Sequence, residues 1–159
     1  MSRDRISVQE ATEIAEHYLQ VPLHRFLNPS LKSLSASEAE IILTTTESLL
    51  TPTSALHAGA VYAGLELANV LAVLPHLNHS EYAASIDHSV SLIGNITGVD
   101  KQVLIRSRML RRGGNVAFFE SEAYDASNMA LLAKGKTTKT IRKIPDKKSH
   151  PVEVRESKL

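Results

Sequence analysis

The chain has no cysteine and no tryptophan, and aromatic residues make up only 4% of its 159 residues. The absence of cysteine excludes disulfide bonds and thiolate chemistry. The shortage of aromatic side chains argues against a stacking platform for single-stranded nucleic acid. A net charge of +1 provides no basic field that would attract DNA. We therefore expect no nucleic-acid partner, and a hydrophobic content of 43% suits one domain with a single core.

The sequence pattern also lacks an apolar run that we judge long enough to span a membrane. The longest run lies in residues 54–74 and is stopped by Pro75. The N-terminus is charged and does not have the features of a secretory signal. We therefore expect the long run to be buried in the protein and expect no membrane partner.

Residues 54–74 are the most informative segment, because the pattern predicts a helix that is apolar on nearly every side and carries one carboxylate, Glu66. A helix that is apolar all round is usually buried. An ionised carboxylate in such a place is costly unless it is paired or takes part in chemistry. Tyr62, Glu66 and Asn69 are spaced to share one face. Two interpretations follow: this polar stripe lines a cleft, or Tyr62 and Asn69 hydrogen-bond Glu66 within the core.

The start of this segment carries a family resemblance. The run Leu56-His57-Ala58-Gly59-Ala60, with Glu66 nine residues after His57, resembles the signature of hotdog-fold acyl-CoA thioesterases. Within them it is most similar to the phenylacetate-type and hydroxybenzoyl-CoA-type branch. The resemblance covers residues 22–142 and implies an α+β hotdog fold, in which an antiparallel sheet wraps around one long central helix. Residues 1–142 would form a single hotdog domain, followed by a polar tail over 143–159.

The resemblance also implies a set of catalytic residues. Glu66 would attack the thioester carbonyl or act as base for the attacking water. Backbone N–H groups at Ala58 and Gly59 would polarise the thioester oxygen, because a helix N-terminus presents unpaired donors and a partial positive charge. The chain departs from the family pattern at Thr51, where an Asn or Gln is usual. The implied catalytic set is His57, Ala58, Gly59, Glu66, Asn69 and Thr51.

A basic cluster provides candidates for binding the phosphates of coenzyme A, which would enter as part of the substrate and not as a separate cofactor. Arginine binds phosphate through paired hydrogen bonds, and in the family the nucleotide lies near this hairpin and the next strand. The implied contacts are Arg111, Arg112, Gly113, Gly114, Asn115 and Lys134. For Arg106 and Arg108 we favour the alternative of a strand edge protected by charge.

Two histidines, His76 and His79, raise the question of a metal site. They lack a third ligand nearby, so we interpret their segment as a solvated loop and predict no metal site.

The remaining pattern predicts one further helix and five strands. A capping box at Ser7 and Glu10 opens an amphipathic N-terminal helix that ends near Leu19. Alternating apolar residues predict strands over 34–46, 85–93, 102–110, 116–124 and 129–141. In the strand over 116–124 one face would meet the central helix, which leaves Val116 and Phe118 exposed in a monomer. Because hotdog domains pair sheet edges and place the active site between protomers, we expect a homodimer or homotetramer.

The last three residues, Ser157-Lys158-Leu159, match a peroxisomal import signal. In a eukaryote this tripeptide would be bound by the import receptor and would predict a peroxisomal location. In a bacterium it would be a chance match in a cytoplasmic protein.

Together these features predict an acyl-CoA thioesterase, a thioester hydrolase that releases a free acid and coenzyme A. Two alternatives stay open. The first is a hotdog module that binds an acyl-CoA without hydrolysing it, which Thr51 favours modestly. The second is a hotdog enzyme of a biosynthetic pathway, such as a hydratase, although the sequence lacks the Asp-x-x-x-x-His hydratase motif.

Overall fold

The computed structural model describes residues 4–145, so the tail with Ser157-Lys158-Leu159 lies outside the described residues. The elements in chain order are α1 (Val8–Leu19), α2 (Pro22–Phe26), β1 (Pro29–Leu34), β2 (Glu38–Thr44), α3 (Ala58–Val73), β3 (Glu81–Leu92), β4 (Gln102–Gly113), β5 (Val116–Asp125) and β6 (Leu131–Lys143). The strands form one antiparallel sheet in the order β1-β2-β4-β5-β6-β3. The predicted architecture of an antiparallel sheet with one long helix and an N-terminal helix is confirmed.

The N-terminal helix α1 begins as predicted. The Ser7 hydroxyl accepts the N–H of Glu10 at 3.2 Å, and the Glu10 carboxylate accepts the N–H of Ser7 at 2.8 Å. Both partners of the capping box are therefore in place. Ala11, Ala15 and Leu19 are buried, so the predicted apolar face packs into the core.

Two segments before α3 differ from the sequence prediction. The strand predicted over 34–46 is present as β2, but it is preceded by a strand that was not predicted, β1. The two strands form a hairpin, in which the N–H of Ser35 donates to the carbonyl of Glu38 at 2.8 Å. β1 lies at the sheet edge and is largely exposed, so its apolar alternation is weak. The connector before β1 contains α2, whose first residue Pro22 has the fixed φ that suits a helix start.

Helix α3 starts at Ala58, with His57 as its N-cap, and lies against the inner face of the sheet. By length and composition alone, Ala58–His76 is long enough to cross a membrane. The prediction that no apolar run reaches this length is therefore wrong. However, 67% of this stretch is buried inside the protein. Burial in the fold accounts for its apolar surface, as expected for the central helix of a sheet-wrapped core.

The inner face of β5 agrees with its predicted alternation. The residues that share this face and are buried are Ala117, Phe119, Ser121 and Ala123. On the opposite face Phe118 is 44% exposed. The side of the sheet that faces away from α3 therefore carries apolar surface in a single chain.

Gly64 allows α3 to approach the sheet closely. A Cβ atom at this position would lie 2.5 Å from Cδ1 of Ile105 and 3.3 Å from Cδ1 of Leu43. Replacing Gly64 by Ala gains about 1 kcal/mol of helix propensity but costs about 1–3 kcal/mol through overpacking. We expect Gly64→Ala to lower the free energy of unfolding by about 1 kcal/mol net, measured by urea denaturation.

A second substitution tests the cause of that loss. Ile105→Val removes the Cδ1 atom that the new methyl group would meet, at a cost of about 1 kcal/mol by itself. In the Ile105→Val background, Gly64→Ala should no longer destabilise the protein. An equal loss in both backgrounds would show that the close contact is not the reason.

Candidate active site

The carboxylate of Glu66 lies where α3 faces strands β3 and β6. Its Oε1 accepts the Ser85 hydroxyl at 2.5 Å and the ammonium of Lys139 at 2.7 Å. The same ammonium donates to Oγ of Ser85 at 2.7 Å. The Glu66 side chain is 34% exposed, whereas that of Lys139 is 1% exposed. The predicted acid is thus neither free in bulk water nor sealed in the core, and it forms a compact triangle with Ser85 and Lys139.

The second oxygen of Glu66 has a different environment. Oε2 is buried and has no hydrogen-bond partner within residues 4–145. Its neighbour is Nδ1 of His88, at 3.6 Å, and that nitrogen lies 2.6 Å from Oγ1 of Thr137. The His88 ring packs 5.8 Å from the ring of Tyr62, measured between centroids. The two carboxylate oxygens are therefore distinct: Oε1 faces two donors, and Oε2 faces the interior.

Tyr62 and Asn69, the other polar side chains on this face of α3, hydrogen-bond to the sheet and not to Glu66. The Tyr62 hydroxyl donates to the carbonyl of Val90 at 3.3 Å. Asn69 is fully buried, donates to Thr137 at 2.9 Å and accepts the Ser107 hydroxyl at 2.6 Å. Neither Tyr62 nor Asn69 hydrogen-bonds Glu66 within the described residues. Asn69, a predicted catalytic residue, instead joins α3 to strands β4 and β6.

Lys139 was not identified from the sequence, although β6 carries a signal for it. The residues of β6 that are buried on the helix side alternate along the strand and are Ala133, Gly135, Thr137, Lys139 and Ile141. A lysine in an otherwise small or apolar register of this kind predicts a buried cation. Burial lowers the pKa of Lys139, and the neighbouring Glu66 carboxylate partly opposes this shift.

Ser85 and His88 face Glu66 together because β3 contains a bulge. The pairing with β6 shifts between Ser85 and Asp87, which inserts Ile86 as an extra residue. Ile86 is consequently 59% exposed, whereas the side chain of His88 is 17% exposed. A strict alternation along β3 would put Ile86 and His88 on the same face, and the bulge explains why they lie on opposite faces.

The start of α3 holds the predicted backbone donors. The N–H of Gly59 donates to Nδ1 of His57 at 2.9 Å, so the side chain of the N-cap already occupies this donor. The N–H of Ala58 has no acceptor within the described residues. Of the two predicted amides, that of Ala58 is therefore the one free to bind an oxygen atom.

Two cavities flank this helix start. Ala58 and Thr51 line a cavity of about 560 Å³ that also includes Val61 and Leu132. His57 and Gly59 line an apolar cavity of about 270 Å³ on the other side, closed in part by Phe26 of α2. Oγ1 of Thr51 accepts the N–H of Ala55 at 3.2 Å, so its hydroxyl takes part in the local turn.

Glu66 is remote from the helix start in its own chain. Glu66 lies eight positions after Ala58, which corresponds to about 12 Å along a helix axis. A nucleophile and an oxyanion donor that act on one carbonyl lie only about 6–7 Å apart, since each contacts the group at about 3 Å. Neither cavity at the helix start includes Glu66. The geometry of one chain therefore does not bring Ala58 and Glu66 onto the same carbonyl.

The predicted coenzyme A residues divide into two groups. Arg111, Gly113, Gly114 and Asn115 are exposed at the β4–β5 turn. Unlike Arg106, Arg108 and Arg112, Arg111 forms no ion pair through its guanidinium within residues 4–145. The others form ion pairs: Arg112 with Glu81 at 3.2 Å and Lys134 with Glu122 at 2.9 Å.

Arg112 lies beside the turn, opposite Ala117, whereas the pairing of β5 with β6 places Lys134 far from it. Val116, next to the turn, pairs with Thr140, so the turn lies at the end of the sheet that holds Lys139. Lys134 pairs with Glu122, about 20 Å farther along β6. Arg106 and Arg108 contact Glu40 and Glu120 at 2.6 and 2.8 Å. Their strand β4 lies between β2 and β5, so the predicted strand edge is wrong, and the two arginines form ion pairs with neighbouring strands instead.

The two histidines after α3 are not both in a solvated loop. His76 ends a 3-10 turn over Leu74–His76 and is half-buried, and burial lowers its pKa. His79 is exposed and lies 3.8 Å from Glu10. Within residues 4–145 no group of three or more His, Cys, Asp or Glu side chains is arranged to hold a metal ion.

No family model and no curated protein sequence matches the chain. Solved structures do resemble it. Thioesterase superfamily member 2 of zebra fish superposes with a TM-score of 0.74 at 18% identity, over 84% of this chain and 97% of that one. A thioesterase of Haemophilus influenzae gives a TM-score of 0.76 at 14% identity, over 91% and 95%. A thioesterase family protein of Silicibacter pomeroyi gives 0.76 at 15% identity, over 84% and 99%.

At these identities the likeness establishes the fold. The chain has the hotdog fold of thioesterase-superfamily structures, as the resemblance at the start of α3 implied. The assignment to the phenylacetate-type or hydroxybenzoyl-CoA-type branch stays a prediction, as do the roles of the site residues.

Proposed function

We propose that the protein is an acyl-CoA thioesterase, which hydrolyses a thioester to a free acid and coenzyme A. The observation that carries the proposal is the environment of Glu66: a partly exposed carboxylate on the central helix, with Oε1 held by Ser85 and Lys139. A carboxylate kept in this way is available as base or nucleophile. The structures of similar fold that are named thioesterases agree with this chemistry.

The chemistry requires a carbonyl that is polarised as it is attacked. Glu66 activates the attacking group or attacks the carbonyl itself. Negative charge then develops on the thioester oxygen, where the free N–H of Ala58 and the partial positive charge of the helix start stabilise it. Collapse of the tetrahedral intermediate expels coenzyme A as the thiolate, which takes up a proton.

The distance between Ala58 and Glu66 supports a site shared by two chains. β3 lies at the sheet edge, next to Glu66, and its outer side pairs with no other strand within residues 4–145. Ile86, Leu92 and Ile93 are 59%, 50% and 56% exposed at and beyond this edge. We propose a homodimer that pairs through β3, in which Glu66 of one chain and Ala58 of the other act on one thioester. A homotetramer would combine two such dimers.

Coenzyme A binding is assigned to the β4–β5 turn. Arg111 offers a guanidinium without an ion pair in the part of the chain that the structure describes, and the exposed backbone around Gly113 and Gly114 leaves room for a phosphate to approach. Arg112 is available only if it leaves Glu81, and Lys134 only if it leaves Glu122.

The direct test is a steady-state assay of the purified protein over a panel of short, long and aromatic acyl-CoAs, with release of free thiol as the readout. We expect hydrolysis of at least one of these classes. Tight binding by calorimetry without turnover would instead identify a non-catalytic acyl-CoA-binding module. One observation favours that second function, because His57 already occupies the N–H of Gly59 and leaves one donor where two were predicted.

Ala58→Pro tests the oxyanion donor without changing a side-chain charge. Proline lacks the N–H but is well tolerated at the first position of a helix. His57, at φ −65° and ψ 134°, already has the extended conformation that precedes proline. We expect kcat to fall by about 10²–10³-fold with unchanged thermal unfolding. Ala58→Gly, which keeps the N–H, should retain most activity, and full activity of Ala58→Pro would contradict the assignment.

A further inference from the structure

The triangle of Ser85, Glu66 and Lys139 contains a second reactive group besides the carboxylate. Ser85 is exposed, and its hydroxyl donates to Oε1 of Glu66 at 2.5 Å. A hydroxyl within hydrogen-bond reach of a base, with that base oriented by a third group, is the arrangement that activates a serine nucleophile. Here Glu66 would be the base and Lys139 the third group.

Accessibility distinguishes Ser85 from the carboxylate oxygens. Oε2 of Glu66 is buried beneath the surface, on the side of His88. Oε1 already accepts two hydrogen bonds, from Ser85 and Lys139. A direct attack by Glu66 would require the carboxylate to give up these two hydrogen bonds. The ammonium of Lys139, which is only 1% exposed, would then lose its ion-pair partner. The Ser85 hydroxyl needs no such rearrangement.

Lys139 provides a second argument for an activated Ser85 hydroxyl. Its ammonium lies 2.7 Å from Oγ of Ser85 as well as 2.7 Å from Oε1 of Glu66. A positive charge at hydrogen-bond distance stabilises the negative charge that develops on Oγ as its proton leaves. The bulge at Ile86 directs Ser85 and His88 to the same side of β3, and the backbone of this edge strand therefore holds Ser85 in place.

We infer that Ser85 is the nucleophile of the proposed thioesterase, with Glu66 as its base and Lys139 as a positioning residue. This inference rests on the proposed function and concerns the route of the reaction. Oγ of Ser85 forms a bond to the carbonyl carbon, its proton moves to Oε1 of Glu66, and the carbon–sulfur bond breaks. Coenzyme A leaves as the thiolate and takes the proton from Glu66. Water then attacks the acyl-serine ester, gives one proton to Glu66, and that proton returns to Oγ of Ser85 as the free acid leaves.

The first experiment looks for the acyl-serine ester. The wild-type protein is mixed with an acyl-CoA that it hydrolyses, quenched in acid within milliseconds to seconds, and its intact mass is measured. We expect a species heavier by one acyl group, located on Ser85 by peptide mapping. A mass increase on Glu66, or transfer of ¹⁸O from the solvent into the Glu66 carboxylate during a single turnover, would overturn the inference in favour of an anhydride.

The second experiment uses matched substitutions on β3. Ser85→Ala should lower kcat by about 10³-fold or more and abolish acylation. Ser89→Ala, an exposed serine on the same strand, should leave kcat unchanged. Retention of more than half of the wild-type kcat by Ser85→Ala would overturn the role of Ser85.

A third measurement separates a nucleophile from a serine that only orients water. With hydroxylamine present, an acyl-serine intermediate gives the same ratio of hydroxamate to free acid from an acyl-CoA and from the matching acyl-pantetheine. A ratio that depends on the leaving thiol would overturn the inference while leaving the thioesterase proposal intact. If the wild-type protein hydrolyses no acyl-CoA at all, the proposed function fails, and the role of Ser85 fails with it.

Discussion

Glu66→Gln is expected to reduce acyl-CoA hydrolysis by about 10³-fold or more, because an amide cannot accept the proton that the reaction releases. The substitution keeps the size of the side chain and keeps an oxygen that can accept from Ser85 and Lys139. We therefore expect a folded protein that still binds the substrate. The measurement is kcat under saturating acyl-CoA, together with the binding constant from calorimetry.

The choice of Gln over Ala follows from Lys139. Glu66→Ala would leave an ammonium that is 1% exposed without its partner, at a cost of up to about 3–5 kcal/mol. Because of this ion pair, we expect Glu66→Gln, and not Glu66→Ala, to separate a loss of activity from a loss of stability. Glu16→Gln, on the exposed surface of α1, is the matched control and should leave kcat unchanged. Wild-type turnover of Glu66→Gln would refute the assignment of the carboxylate.

Two inactive variants are expected to restore activity when they are mixed. In the shared site that we propose, Glu66 of one chain acts with Ala58 of the other. A dimer of one Glu66→Gln chain and one Ala58→Pro chain then holds one site with both changes and one site with neither. Random exchange in a one-to-one mixture makes half of the dimers mixed, so we expect about a quarter of the wild-type activity. The assay is thiol release after unfolding and refolding the two variants together.

The controls decide what the recovery means. Each variant alone, refolded at the same total concentration, should stay inactive. A mixture of Glu66→Gln with Ser85→Ala should also stay inactive, because Ser85 hydrogen-bonds the Glu66 of its own chain and both changes affect the same half of a site. Absence of recovery from the first mixture, in a sample shown to contain mixed dimers, would place the whole site in one chain and reject the shared arrangement.

The parts of the fold that follow local rules could be predicted from the sequence. The capping box at Ser7 and Glu10 begins α1, and the apolar run that ends before Pro75 forms the buried central helix. The alternation in β5 correctly assigns its buried face. Each of these features depends on neighbours within a few residues, which is the range over which sequence patterns act.

The surroundings of Glu66 could be predicted only in part. The spacing in α3 identified the carboxylate, but its partners come from β3 and β6, 19 and 73 residues away in the chain. Ser85 was hidden because the bulge at Ile86 breaks the alternation on which a face assignment depends. Lys139 was missed because an isolated lysine in a strand is usually exposed, although its position among small and apolar residues of β6 carried a signal of burial.

The bulge at Ile86 also restricts how two copies can be related by symmetry. It divides the outer edge of β3 into a first stretch from Glu81 to Ser85 and a second stretch from Asp87 to Leu92. A twofold axis between two antiparallel strands pairs each residue on one side of the axis with the residue equally far on the other side in the second copy, so an uninterrupted ladder forms only when the axis crosses one stretch well away from the extra residue. The second stretch, which ends in the exposed Leu92, is the longer one. A symmetric dimer centred on it would pair six residues of one strand with the same six residues of its partner. One inserted residue thus limits the choice of dyad and, with it, the distance from each carboxylate to the opposite chain.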